Sequence, residues 1–120
     1  MVQPIRILSV GYDRDLMSSR SMLLRHAGYL VEEAYSCHEA VAVAHSDTIS
    51  LVLICHTVPD GEKAAIIAAV QEQQPLVPIL CISDHDYYQP PAETCRVVSS
   101  APAELLAAVS SVASVSLHTR

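Results

Sequence analysis

Thiol, imidazole and carboxylate side chains follow two strand-like apolar runs, and these groups could form a metal site. They are Cys55, His56, Asp84, His85 and Asp86. The carboxyl ends of parallel strands meet at one edge of a sheet, so the two groups could converge, and all three side-chain types bind zinc or other transition metals. However, no recognised ligand spacing is present. Adjacent strand residues also point to opposite faces, which separates Cys55 from His56. We therefore predict no metal site.

Cys55 is also a candidate reactive thiol. Ser83 and His56 are its expected polar neighbours, but the pattern places no cation or helix N-terminus beside it, and such groups are what lower a thiol pKa. A small buried core residue is therefore the favoured interpretation, and it extends to Cys81 and Cys95. A metal- or redox-sensing domain centred on Cys55 remains an alternative.

Composition restricts the chain to one globular domain. It has 120 residues, of which 51% are hydrophobic and 17% charged, which excludes an intrinsically disordered chain. The longest purely apolar run, 64–70, is far shorter than the roughly 20 residues of a membrane span. We expect a single domain over 1–120 and no membrane partner.

Charge and cysteine usage narrow the function classes further. The net charge is −6, and no segment offers the basic face that nucleic-acid binding needs. The first residues lack the basic and apolar regions of a secretory signal, and the four cysteines form no Cys-x-x-Cys pair. We therefore expect a cytoplasmic protein whose cysteines are reduced.

Short β-branched runs alternate with longer segments of helical periodicity. This alternation predicts a parallel sheet with helices on both faces. The predicted strands are 5–10, 29–34, 49–55, 79–82 and 95–98, and the predicted helices are 13–27, 36–44, 62–73 and one that begins near Pro102. Segment 83–94 contains Pro90 and Pro91, so we predict that a helix there is shortened or absent. Residues 114–120 are predicted to fray.

The first helix is predicted to have an apolar face and a polar face. Apolar side chains at helical spacing define the inward face, namely Leu16, Leu23, Leu24 and Ala27. Polar side chains define the opposite face, namely Arg14, Ser18, Ser21 and Arg25.

The order and spacing of these segments resemble the receiver domain of bacterial response regulators. The resemblance lies in segments 5–10, 12–16, 23–34, 50–61 and 102–109. It implies an α/β, flavodoxin-like (CheY-like), doubly wound sheet of five parallel strands in the order 2-1-3-4-5. It also implies phosphoryl transfer from a histidine kinase to an aspartate at the end of the third strand.

The residues that this chemistry requires are largely missing from the chain. The resemblance places the acidic pair that holds Mg²⁺ on Gly11 and Tyr12, and the phosphoryl acceptor on Cys55. It places the phosphate-binding hydroxyl on Ser83, which retains it, and the lysine on Ser99. Asp13 stands one position too late in the loop. We therefore predict a degenerate phosphorylation pocket that has lost Mg²⁺ and uses no other cofactor.

The chain is thus expected to be a divergent receiver domain that acts as a protein-interaction module, not an enzyme. Expected partners are a histidine kinase, a phosphotransferase, an output protein or a second copy of the chain. The candidate contact residues are Arg14, Arg20, Arg25, Tyr87 and Tyr88. The arginines could instead form a solvated face, and the tyrosines could cover the sheet edge. A phosphorylatable receiver that uses shifted residues is a second alternative function.

Overall fold

A computed structural model describes residues 5–46, 48–83 and 95–118. Its elements alternate as predicted. In chain order they are β1 (Arg6–Val10), α1 (Arg14–His26), β2 (Leu30–Ala34), α2 (Cys37–Ser46), β3 (Leu51–Ile54), α3 (Asp60–Gln73), β4 (Ile79–Ile82), β5 (Cys95–Val98) and α4 (Pro102–His118).

The five strands form one parallel sheet in the order β2-β1-β3-β4-β5. The predicted flavodoxin-like architecture is confirmed. All four residues of β3 are buried, which explains its continuous apolar sequence, because helices cover both faces of a central parallel strand. Since β1 and β3 are neighbours, their carboxyl ends lie side by side.

Two apolar clusters hold the helices against the two faces of the sheet. The first joins α2 and α3 to the sheet through Ala44, Ile66 and Val52. The second joins α1 and α4 through Leu24, Leu105 and Leu53. The helices α1 and α3 therefore reach the carboxyl end of β3 from opposite faces.

The buried face of α1 differs from the predicted one. Its buried residues are Met17, Arg20, Ser21 and Leu24. Leu16 and Leu23 are only partly buried, and Ala27 is exposed. Residues at i, i+3, i+4 and i+7 share a helix face, so the observed set is as regular as the predicted one. The prediction was right for the inward position of Leu24 but wrong for Ser21, which it placed on the outer face by residue type alone.

The backbone of the last helix, α4, is helical to His118, and no glycine or proline interrupts this part of the sequence. The fraying expected over 114–120 stays a prediction. No helix among the described residues is long and apolar enough to cross a membrane. The prediction of a shortened or absent helix before β5 falls on 84–94, outside the described residues.

The cysteines do not share one chemical state. Cys37 and Cys55 are free thiols, but Cys81 is disulfide-bonded. The expectation of reduced cysteines is therefore wrong at Cys81. Sequence spacing could not reveal this, because the pairing of cysteines depends on which strands become neighbours.

Candidate functional site

The candidate site lies where β1 and β3 end at the carboxyl edge of the sheet. The Cys55 N–H donates a hydrogen bond to the carbonyl of Val10 over 2.8 Å, and the Gly11 N–H donates to Ala34 over 3.1 Å. A Cβ added to Gly11 would lie 2.9 Å from Cys55 Cβ and 2.8 Å from Met17 Sδ. Position 11 therefore admits no side chain without displacement of its neighbours.

Several buried residues lie near the Cys55 sulfur, and we call them the pocket floor. It consists of Gly11, Met17, Arg20, Cys55 and Lys63. Cys55 is 1% exposed and Arg20 is 6% exposed. The Arg20 guanidinium donates a hydrogen bond to Cys55 Sγ, and Sγ is 3.7 Å from Met17 Sδ. The residue at the expected phosphoryl-acceptor position is thus a thiol, and it accepts a hydrogen bond from a buried cation.

Arg20 is therefore not the partner-contact residue that we predicted, nor part of a solvated face. Its position three residues after Met17 and four before Leu24 puts it on the buried side of α1. Among the described residues, the Cys55 sulfur is the one group that accepts a hydrogen bond from its guanidinium.

Lys63 is the only lysine of the chain, and sequence reasoning did not connect it with the site. It is 2% exposed, and its Nζ lies 3.4 Å from Asp60 Oδ1 in the first turn of α3. It is also close enough to Cys55 to lower the pKa of the thiol. The signal was its spacing from Ile66, Ile67 and Val70, the other buried residues of α3.

Burial raises the pKa of the Cys55 thiol, because removal from water disfavours the thiolate. Arg20 and Lys63 lower the pKa of this thiol, whereas Asp13 raises it further. Desolvation is the largest of these effects, so the group is a neutral thiol near pH 7. Two buried cations therefore stand beside a sulfur that carries no charge.

Solvent-accessible polar side chains above the floor form a second set, the pocket rim. It consists of Tyr12, Asp13, Thr57, Asp60 and Glu62. The Tyr12 N–H donates to Thr57 Oγ1 over 3.0 Å, and the Tyr12 hydroxyl donates to Glu62 Oε1 over 2.6 Å. The Glu62 contact raises the pKa of Tyr12 to about 12. These bonds tie the loop after β1 to the loop and helix after β3, a pairing that sequence reasoning missed.

Asp13 serves the start of α1. Its Oδ1 accepts a hydrogen bond from the Leu16 N–H over 3.1 Å, which makes it the N-cap of the helix. An aspartate at this position stabilises the free N–H groups of the first turn. This role accounts for a carboxylate one residue beyond the position that the receiver pattern requires.

The two predicted serines have different surroundings. Ser83 is buried, and its N–H donates to the carbonyl of Val98 over 2.9 Å. The Ser99 hydroxyl accepts from the Ala101 N–H over 3.1 Å, just before α4. Ser99 thus organises the loop that follows β5.

The pocket does not fit Mg²⁺. This ion requires oxygen ligands in octahedral geometry, whereas Gly11 and Cys55 supply none from their side chains. Tyr12 is hydrogen-bonded to Glu62, and the cation Arg20 adjoins the thiol. No group of three potential ligands lies together within the described part of the chain. His56 is exposed while Cys55 is buried, as their adjacency predicts, and Asp84, His85 and Asp86 lie outside the described residues.

The remaining candidate contact residues divide by location. Arg14 and Arg25 are exposed on α1. The Arg14 guanidinium lies 4.2 Å from the centroid of the Tyr35 ring, and Arg25 donates to the Val31 carbonyl over 3.0 Å. Tyr87 and Tyr88 lie outside the described residues.

A polar contact between α1 and β2 fixes the helix that carries Arg20. The Ser21 hydroxyl donates to Glu33, and the Tyr35 hydroxyl donates to the same carboxylate over 2.8 Å. Both bonds lower the pKa of Glu33, and Ser21 has the larger effect. Because Arg20 and Ser21 are both on the buried side of α1, this contact stabilises the rotation of the helix that buries Arg20.

Comparison with known sequences and structures separates two levels of similarity. No family model matches the sequence, and no curated protein matches it. Solved structures do match. A CheY-like response regulator receiver domain from Methanospirillum hungatei superposes with a TM-score of 0.79 at 20% identity, over 95% of this chain and 97% of that one.

Two further solved structures give the same result. The chemotaxis protein CheY4 of Vibrio cholerae has a TM-score of 0.78 at 22% identity, over 92% of this chain and 99% of that one. The receiver domain of the hybrid histidine kinase CckA has a TM-score of 0.75 at 22% identity, over 90% and 98%. Such low identity establishes the fold without the chemistry. The chain has the CheY-like fold of response regulator receiver domains.

Proposed function

We propose that this protein is a divergent receiver domain that acts as a phosphorylation-independent protein-interaction module in two-component signalling. It binds other signalling proteins, such as a histidine kinase, a phosphotransferase or an output protein, and it performs no catalysis. The single observation that supports this proposal is the hydrogen bond in the pocket floor from Arg20 to the buried thiol of Cys55. Cys55 is the residue that the receiver resemblance aligns with the phosphoryl acceptor.

The pocket chemistry supports independence from phosphorylation. Transfer to a receiver aspartate requires a metal ion and cationic groups that stabilise the charge on the transferred phosphoryl oxygens. Here the acceptor carboxylate is absent, and the rim uses Tyr12 and Glu62 to join the loops that face the site. We do not propose a phosphorylatable receiver with shifted residues, because Asp13 caps α1.

The exposed part of α1 is the proposed contact surface. Arg14 and Arg25 remain on it, and Arg20 is removed from it by burial. Charged residues at the edge of a protein–protein interface control the association rate. Charge reversal by R14E or R25E should therefore slow binding to a cognate kinase or phosphotransferase, whereas S18A on the same helix should not.

The experiment that tests phosphorylation independence is an amide NMR titration with Mg²⁺ and beryllofluoride, a phosphoryl mimic. We expect no saturable shifts at Gly11, Cys55 or Ser83. A phosphorylatable receiver domain under the same conditions serves as the positive control. Saturable shifts confined to these residues would overturn the proposal, and so would Mg²⁺-dependent labelling of the protein by acetyl phosphate.

We also propose a cytoplasmic location, and the disulfide at Cys81 is the observation against it. Reducing compartments keep most thiols unpaired. Alkylation of thiols in intact cells, followed by lysis and reduction, measures whether Cys81 is bonded there. Labelled Cys81 agrees with the proposal, and protected Cys81 contradicts it.

A further inference from the structure

The pocket floor holds two buried cations beside a neutral sulfur. Arg20 enters from α1 and Lys63 from α3, on opposite faces of the sheet, and both are more than nine-tenths buried. Lys63 has the carboxylate of Asp60 within 3.4 Å. The guanidinium of Arg20 has the neutral sulfur of Cys55. A buried cation is costly unless an anion or a full set of hydrogen bonds compensates it.

An anion formed on Cys55 Sγ would supply that compensation. A sulfinate keeps its sulfur where Sγ is now and adds two oxygen acceptors and a negative charge. Arginine binds planar or forked oxyanions through paired N–H groups more strongly than it binds a neutral acceptor. The present Arg20 contact therefore already points at the atom on which the charge would form.

We propose that Cys55 is a site of oxidation by peroxide, and that the sulfinate formed there is held by the Arg20 guanidinium and the Lys63 ammonium. This inference goes beyond the proposed interaction function and does not depend on it. The modified group would stand where a receiver domain carries its phosphoryl group.

The reaction balances with peroxide as the oxidant. The thiolate attacks one peroxide oxygen, the O–O bond breaks, and water leaves with the proton of the thiol, which gives a sulfenic acid. A second peroxide oxidises the sulfenate in the same way to a sulfinic acid, which ionises. In sum, one thiol and two molecules of hydrogen peroxide give one sulfinate, one proton and two molecules of water.

Burial makes this reaction slow, because Cys55 is 1% exposed and its pKa is raised. The oxidant must be small and must enter during local opening. The half-buried free thiol Cys37 should react earlier. What distinguishes Cys55 is the stability of its product.

The test treats the folded C37S protein with hydrogen peroxide and follows each peptide by mass spectrometry. Met22, which is 69% exposed, reports the oxidant dose. We expect the Cys55 peptide to gain two oxygen atoms and the melting temperature to rise by about 5 °C. In the R20M variant, oxidation of Cys55 should lower the melting temperature, because the sulfinate then loses its main partner.

The comparison of oxidised with reduced protein within each variant removes the effect of the substitution itself. Oxidation should raise the melting temperature of the K63M variant by less than it raises that of the C37S protein. This variant keeps the test informative if R20M does not fold. At equal dose, the sulfinate should form about tenfold more slowly without Arg20, because the guanidinium no longer stabilises the thiolate that attacks peroxide. Cys55 that stays unmodified when exposure to peroxide is continued long after full oxidation of Met22 would overturn the proposal. Equal destabilisation of the C37S protein and R20M by oxidation would also overturn it.

Discussion

The pocket floor and the pocket rim adjoin each other but are built in different ways. The floor is buried: Arg20 donates to the Cys55 sulfur, and Lys63 is close enough to lower the pKa of the thiol. The rim is accessible to solvent, and its order comes from hydrogen bonds between side chains and loop backbone, such as those of Tyr12 and Asp13.

The difference indicates which substitutions in the pocket should lower the free energy of unfolding most. Buried groups cannot exchange a lost partner for water, whereas exposed groups can. Floor residues should therefore be energetically coupled to one another, and rim residues should act almost independently. Four substitutions measure this difference.

C55A should have the largest effect. Removal of the sulfur leaves a small cavity and takes away the acceptor of the Arg20 guanidinium, so we expect a loss of about 2–3 kcal/mol of unfolding free energy. Urea denaturation gives the value. In an R20M background the same substitution should cost only about 1 kcal/mol. Equal costs in the two backgrounds would show that the floor is not coupled.

G11A should come second, at about 2 kcal/mol, because its new Cβ would overlap with Met17 Sδ and Cys55 Cβ. The matched control is G61A. Nothing lies within 4 Å of a Cβ added there, and Gly61 lies in the exposed first turn of α3. We expect G61A to be neutral or to stabilise by up to about 1 kcal/mol. Similar losses for both variants would show that the close contacts of position 11 do not determine the cost of G11A.

D13A should cost about 1 kcal/mol, because α1 loses its N-cap. D13N keeps a capping side chain and should cost less. The same variants separate capping from metal binding, since neither should alter the response of the protein to Mg²⁺. Thermal unfolding with and without Mg²⁺ provides both measurements, and a Mg²⁺-dependent stabilisation abolished by D13N would contradict the assignment.

Y12F should have the smallest effect at pH 7, less than about 0.5 kcal/mol. Its effect should depend on pH, because the pKa of Tyr12 rises from 10.0 to about 12 in the folded protein. The unfolded chain then loses the phenolic proton first, so stability falls between about pH 10 and 12. Absorbance titration should show a tyrosine with a pKa near 12 that is missing in Y12F. If that step persists in Y12F, another tyrosine is responsible.

The fold was predictable from sequence because its main signals are local. The apolar run that forms β3 and the alternation with helical segments determine a parallel doubly wound sheet. The rotation of α1 was not predictable in the same way. A shift of one residue turns a helix face by about 100°, so Leu16 and Met17 compete for the same position. Contacts with the sheet decide in favour of Met17.

The location of the candidate site could be predicted from the sequence, but the two buried cations within it could not. The order of strands places Gly11 and Cys55 together, and the resemblance identifies the missing acidic residues. Arg20 and Lys63 were not assigned to the pocket because charged residues are mostly exposed, and their burial depends on how α1 and α3 pack against the sheet. The Tyr12–Glu62 bond was missed because it joins loops 50 residues apart.

The burial of Lys63 gives this protein a built-in reporter of opening. Because the chain has one lysine, a lysine-specific protease has one place to cut and would yield the fragments 1–63 and 64–120. That peptide bond lies in the first part of α3, beside a side chain that is 2% exposed. Cleavage therefore requires local or global unfolding, and its rate follows the population of the open form when reclosing is fast. The rate at which the band of the intact chain disappears from a gel can thus report how often the pocket opens.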